Sequence, residues 1–252
     1  AQAYIADSEP QMAKSEVDRA VEIDPANPAL MLFLKQEASD PNFAEAGILL
    51  QQIQLKANPN DPKLLMSLGD SYYDSHHISD AESAYLKAAA QPGASLDAYA
   101  RLTRLYATSQ NYDACLESLN KAGPTGYHAA LQIIAEQPDN LIGDIDKAVQ
   151  AFQSGNLSRT QFYDQLKGID KRASAYSDFL SKIKPPSQYK LSALHRKLAA
   201  SLLAQVTPDL ENYALTAQGS YLSDAGQLED NAKQELGTAN TADNITPTAA
   251  SQ

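Results

Sequence analysis

At 252 residues the chain is long enough for one large or two ordinary domains with a buried core. Its formal net charge of −11 argues against a nucleic-acid partner, which needs a basic face to displace counterions from phosphates. Cys115 is the only cysteine, which excludes an internal disulfide and any cysteine-rich metal site, and no run of about 18 apolar residues exists to make a transmembrane helix.

Hydrophobic residues make up 43% of the chain, with much Ala and Tyr and few β-branched residues, while the 13 prolines cluster between periodic stretches. These features predict an all-α fold. The charge falls in blocks: residues 1–124 hold 9 Lys and Arg against 17 Asp and Glu, 159–197 hold 9 basic against 3 acidic residues, and 209–243 hold 7 acidic residues and only Lys233. Such blocks are either solvated helix faces or basic and acidic helices that pack side by side and partly neutralise each other.

In chain order, a beat of about 34 residues comes first. Pro25, Pro59, Pro92 and Pro124 are spaced by 34, 33 and 32 residues, and the small residues Ala13, Ala46, Ala81 and Cys115 by 33, 35 and 34. Tyr4, Ala13, Val17, Ala20 and Pro25 read as the later half of a unit, so the chain is expected to open inside a first helix, with the residues before it belonging to a longer protein. Residues 26–60 form a degenerate unit, with Phe43, Ala46, Leu50 and Ile53 in its second helix but Glu37 where an aromatic residue is expected in the first. The clearest unit, 62–95, runs Leu65, Leu68, Gly69, Tyr72, then Ala81, Tyr85, Ala88 and Pro92. The next, 96–124, repeats it with Tyr99, Leu102, Thr103, Tyr106, Cys115, Leu119, Ala122 and Pro124. Leu65, Leu68 and Tyr72 lie on one helical face, as do Ala81, Tyr85 and Ala88, and a proline closes each hairpin. One hairpin cannot bury its own apolar face, so the units must stack.

These residues resemble the tetratricopeptide repeat, whose pattern is a large residue, Leu-Gly, Tyr, then Ala, an aromatic residue, Ala and Pro. The resemblance implies a solenoid of helical hairpins over residues 1–124 that binds a protein or peptide on its concave face. Its first helices would present Lys63, Met66, Asp70 and Tyr73 from one unit and Asp97, Arg101 and Arg104 from the next. Asp70 stands where members that clamp a C-terminal carboxylate carry Asn, and Arg104 stands at the equivalent place one unit on, which argues against a chaperone-tail clamp. Arg101 and Arg104 lie one turn apart and either meet an acidic ligand group or bridge to Asp97 and Asp70.

Past Pro124 the beat is lost. Residues 127–136 and 141–152 are expected to form a shortened hairpin that caps the array, so that 125–156 is a degenerate unit. Gly155-Asn156 breaks the chain, and Ser158 is a suitable N-cap for the next helix. Over 157–236 the sequence predicts a three-helix antiparallel bundle. Its first helix carries Phe162, Leu166, Ile169, Ala173, Tyr176, Leu180 and Ile183 in steps of four and three, and Pro185-Pro186 ends it. Leu191, Leu194, Leu198 and Leu202 carry the second, and a third is expected from Thr207-Pro208, with Leu210, Ala214, Ala217, Tyr221, Leu228, Ala232 and Leu236. The run Gly155-Asn156-Leu157-Ser158, then Pro185-Pro186 and His195, resembles a helical domain of exported bacterial proteins and implies no activity. Residues 237–252 lack apolar periodicity and are expected to be disordered.

Catalytic chemistry has little support in the sequence. His76-His77, with Asp74 and Asp80 nearby, reads as a surface turn rather than a metal site, and His195 as a partly buried ring bonded to a carbonyl. Cys115 reads as a compact hydrophobe, and no phosphate-binding, nucleophile-elbow or zinc-protease string is present. The expectation is a non-enzymatic scaffold or adaptor with no catalytic residue, cofactor or metal. Two alternatives are a self-associating component of a bacterial envelope or surface assembly, and a small-molecule receptor with Tyr163, Tyr176, Tyr189 or Tyr221 around a pocket in the bundle. Polar composition leans toward an exported or lipid-anchored bacterial protein whose targeting segment precedes this chain.

Overall fold

A computed structural model describes residues 10–25, 27–38 and 45–244. Among these residues the chain forms ten α-helices, one 3-10 turn and no strand, so the fold is all-α. The chain divides into two compact units, Ala1–Leu105 and Tyr106–Gln252. Tyr4, Phe43 and the side chain of Ala13 lie outside the description.

The first unit contains α1 (Pro10–Ile23), α2 (Pro28–Glu37), α3 (Glu45–Ala57), α4 (Pro62–Asp74), α5 (Ile78–Ala89) and most of α6 (Ser95–Thr108). Two of the starts share one device. The Asn27 side chain accepts from the backbone of Ala29 and Leu30 ahead of Pro28, and Asp61 accepts from Lys63 and Leu64 ahead of Pro62. Val17, Leu30, Leu34, Ala46 and Ile53 join α1, α2 and α3 in one cluster, and Leu65, Ala88 and Ala98 join α4, α5 and α6 in another against Leu55 of α3. Polar bonds tie α3 to α4: Gln51 Nε2 donates to Ser67 Oγ and Gln52 Nε2 to the Tyr72 hydroxyl, both at 2.8 Å.

Helices α4 and α5 pack through the residues that the sequence pattern singles out. Gly69 lies under the Tyr85 ring, so close that a Cβ at 69 would stand 2.4 Å from Tyr85 Cε1. Ala81 and Ala88 are fully buried on the facing helix, where any larger side chain would push the pair apart. The turn between α4 and α5 has a counterpart 34 residues later. His76 and Gln110 both take left-handed backbone, with φ of 61° and 55°. Each is followed by the same pattern: His77 N–H donates to Tyr72 O at 2.8 Å and Asn111 N–H to Tyr106 O at 2.9 Å, the six-residue closure of a helix C-terminus. A third such closure, Asn156 N–H to Ala151 O at 2.9 Å, is built on Gly155 at φ 78°.

The second unit contains α7 (Tyr112–Gln153), α8 (Arg159–Lys182), α9 (Lys190–Thr216) and α10 (Gly219–Asp243), with the 3-10 turn Ser187–Tyr189 between α8 and α9. Helix α8 starts on a complete capping box, in which Ser158 Oγ accepts from Gln161 N–H and Gln161 Oε1 accepts from Ser158 N–H. The seven heptad positions from Phe162 to Ile183 are all buried. The opposed charge blocks meet between helices: Lys167 of α8 pairs with Glu211 of α9 at 2.8 Å, and on α9 His195 bonds Glu235 and Arg196 pairs with Asp243, both acceptors lying on α10.

The structure departs from four expectations. The hairpin expected over 127–136 and 141–152 is instead one helix that continues through Pro138. The break in α7 falls earlier, at Gly123 with φ 61° and ψ −139°, just before Pro124. Pro138 has no N–H to give to the Ile134 carbonyl four residues back, and the Tyr176 hydroxyl supplies that bond at 2.6 Å. The helix expected to begin at Thr207-Pro208 does not begin there. Val206, Thr207, Leu210 and Ala214 are buried along one face and carry α9 past the proline, and the turn comes at Ala217, with φ 57°. The leucine row does not seat α9 either: Leu191, Leu194 and Leu198 are 60%, 62% and 45% exposed, while Ser192, Ala193, Arg196, Ala199, Ala200 and Leu203 face inward. Finally, the disorder expected from 237 does not hold for 237–243, because α10 runs to Asp243 with Ala239 and Asn240 buried and Asp243 held by Arg196, while 245–252 lie outside the described residues.

Candidate functional site

The residues expected on the binding face come from α4 and α6. Met66, Asp70 and Tyr73 recur every three to four residues on α4, and Asp97, Arg101 and Arg104 do so on α6. Helix α4 is fixed in place by the Asp61 cap and by Gly69 against Tyr85. Arg101 Nε donates to both carboxylate oxygens of Asp70, at 2.9 and 3.1 Å, and Arg101 Nη1 lies 3.8 Å from the Met66 sulfur. The guanidinium of Arg104 sits 4.8 Å from the centroid of the Tyr73 ring, within cation–π range. Five of the seven residues therefore meet in one patch. Lys63 and Asp97 are exposed on the same helices, and Asp97 acts on Arg101 through its charge.

The sequence pattern marks Tyr85 only as a core ring. Its hydroxyl donates to Asp70 Oδ1 at 2.8 Å, which makes it a member of the patch. Burial, and then the bond to Asp70, push the Tyr85 pKa well above the usual phenol range. For Arg101, burial opposes the charged form, but the bond and charge of Asp70 more than offset it and raise its pKa. Both partners of the Asp70–Arg101 pair are more than a third exposed, so the pair contributes at most about 1 kcal/mol. Its role is geometric: Asp70, with two donors from its own chain, holds the Arg101 guanidinium in place. The patch thus offers a planar cation on an aromatic ring, a second oriented guanidinium and an apolar sulfur, with no nucleophile paired to a base.

The other candidates take structural roles. Cys115 is fully buried, and burial pushes its thiol up to about 12. His76 occupies the left-handed turn position and His77 precedes α5, with its ring 6.1 Å from that of Tyr72. Among the described residues no group of three or more His, Cys, Asp or Glu could hold a metal ion. His195 Nδ1 lies 2.5 Å from Glu235 Oε2, a carboxylate where a backbone carbonyl was expected. Three of the four tyrosines expected around a pocket are engaged separately: Tyr176 with Ile134, Tyr189 stacked on Tyr127 at 5.0 Å, and Tyr163 under Lys167. No described helix is long and apolar enough to cross a membrane.

No protein-family model matches the chain, and a search of curated proteins finds no match.

Proposed function

We propose that residues 1–124 form a tetratricopeptide-type solenoid and that the chain is a non-enzymatic scaffold or adaptor, binding a protein or peptide across the first helices of that array. On this reading α8, α9 and α10 form an antiparallel bundle that serves as a second contact surface or a cap. The observation that carries it is the patch of Met66, Asp70, Tyr73, Arg101 and Arg104, in which two neighbouring first helices jointly hold oriented cationic groups beside apolar surface. Support for the repeat comes from Gly69 under Tyr85 and from the matching turns at His76 and Gln110. Guanidinium groups held this way suit a ligand segment with a carboxylate and an aromatic or aliphatic neighbour.

A display library of peptides panned on the whole chain tests this. Related acidic-apolar peptides should be enriched, and they should bind the Arg101→Ala, Arg104→Ala double variant about tenfold or more weakly, at unchanged helicity. Enrichment that is indifferent to both substitutions, or no enrichment at all, would count against the reading.

A further inference from the structure

Helix α9 is amphipathic in the reverse of the usual sense. Its inward face holds Ser192, Arg196 and Thr207 among small and aliphatic residues, while Leu191, Leu194 and Leu198 point outward at 60%, 62% and 45% exposure. Three leucines at i, i+3 and i+7 make a continuous stripe, and the burial of the opposite face leaves it no partner within α9 itself. The charge around the stripe is unlike the rest of the chain. From Ser181 to Pro208 there is no Asp or Glu, whereas Lys182, Lys184, Lys190, Arg196 and Lys197 all fall there, in a chain of net −11. Lys184 and Lys190 are exposed, and Lys197 reaches along the α8 end to the Ser181 carbonyl at 3.4 Å. Nearby anions are already engaged: Asp178 with Lys182, Glu235 with His195, and Asp243 with Arg196.

We propose that the outward face of α9, with Leu191, Leu194 and Leu198 flanked on the helix by Lys190 and Lys197 and preceded in the connection by exposed Lys184, docks onto a membrane surface containing anionic lipid. The basic surroundings argue against a second copy of the same face, because an antiparallel pairing of two such helices would set lysine flank against lysine flank. The stripe is also short. It extends seven residue steps, about 10 Å along the helix, so three leucines supply only a small part of the roughly 800 Å² per partner that a stable protein complex buries. A membrane asks for no matching shape. The leucines can sink to the level of the acyl chains while the lysine stems extend to the phosphates.

Co-sedimentation of the whole chain with vesicles tests this, using phosphatidylcholine alone and phosphatidylcholine mixed with phosphatidylglycerol. Binding to the mixed vesicles should be about tenfold or more tighter and should weaken with salt. Replacing the three leucines with Gln, or Lys184, Lys190 and Lys197 with Gln, should each abolish most of that binding. The leucines, Lys184 and Lys190 are exposed and Lys197 is half-buried, so the variants should keep wild-type helicity; should a triple variant melt early, Leu194→Gln or Lys190→Gln alone carries the test. Three outcomes overturn the proposal: no binding to either vesicle, binding that survives loss of the leucines, or a leucine variant that differs from wild type only in passing from dimer to monomer. Competition by an acidic amphipathic peptide without any vesicle binding would assign the face to a protein partner instead.

Discussion

Replacing Tyr176 with Phe removes one oxygen from the middle of the second unit and nothing else. That oxygen donates to the Ile134 carbonyl at 2.6 Å, and both groups are buried. The carbonyl has lost its ordinary helical donor because residue 138 is proline. The variant keeps the ring and its packing beside Tyr112, whose centroid is 6.2 Å away. What it loses is the partner of a buried carbonyl, a cost of about 1–3 kcal/mol. In a domain of this size that lowers Tm by about 2–4 °C for each kcal/mol. Pro138→Ala restores an N–H at the right position, and in that background Tyr176→Phe should cost less than about 0.5 kcal/mol. Urea unfolding of the four proteins of this cycle, followed by far-UV circular dichroism, gives the coupling directly. An equal cost of Tyr176→Phe in both backgrounds would refute the reasoning, because the hydroxyl would then not be serving the carbonyl that the proline leaves open.

Other changes test other contacts. Gly69→Ala places a methyl 2.4 Å from Tyr85 Cε1, so the variant should lose about 1–3 kcal/mol, and Tyr85→Leu in the same chain should recover part of it; a neutral Gly69→Ala in thermal melting would contradict the packing of α4 on α5. His76 and Gln110 sit at φ 61° and 55°, so His76→Gly and Gln110→Gly should each stabilise by about 0.5–1 kcal/mol in chemical unfolding, whereas destabilisation would argue against the left-handed turns. Burial pushes Tyr112, Tyr127 and the Cys115 thiol all up to about 12. Each folded pKa is raised above its unfolded value, so the stabilisation is fully present below the unfolded pKa and is lost as pH rises toward 12. Tyrosinate absorbance and helicity should therefore change together above about pH 10, and Cys115 should react with iodoacetamide only as the chain unfolds; early, independent ionisation would contradict this burial.

The helical class, the α8 stripe and its Ser158 cap were legible because each rests on local chemistry: side-chain periodicity and a polar cap before an apolar run. The packing of Gly69 under Tyr85 was legible as a small residue facing a large one. The misreadings share a cause. Pro138 and Pro208 look like helix ends locally, yet a buried hydroxyl and a buried apolar face hold the helices through them. Leu191, Leu194 and Leu198 look like a core stripe, but α10 offers Asn240 and Asp243, so the face carrying Arg196 turns inward and the leucines turn out. In the patch, the repeat resemblance pointed to Asp70, Arg101 and Arg104. The Tyr85 hydroxyl could not be assigned there, because it arrives from another helix.

Under the proposed function a peptide or protein ligand lies across α4 and α6. Nuclear magnetic resonance shift mapping with a display-selected peptide tests it most directly, reading backbone amides throughout and the methyl group of Met66. The largest changes should fall on Lys63, Met66, Asp70, Tyr73, Asp97, Arg101 and Arg104, and they should disappear in the Arg101→Ala, Arg104→Ala variant. Saturable binding whose largest changes lie elsewhere, with these seven residues unmoved, would contradict it.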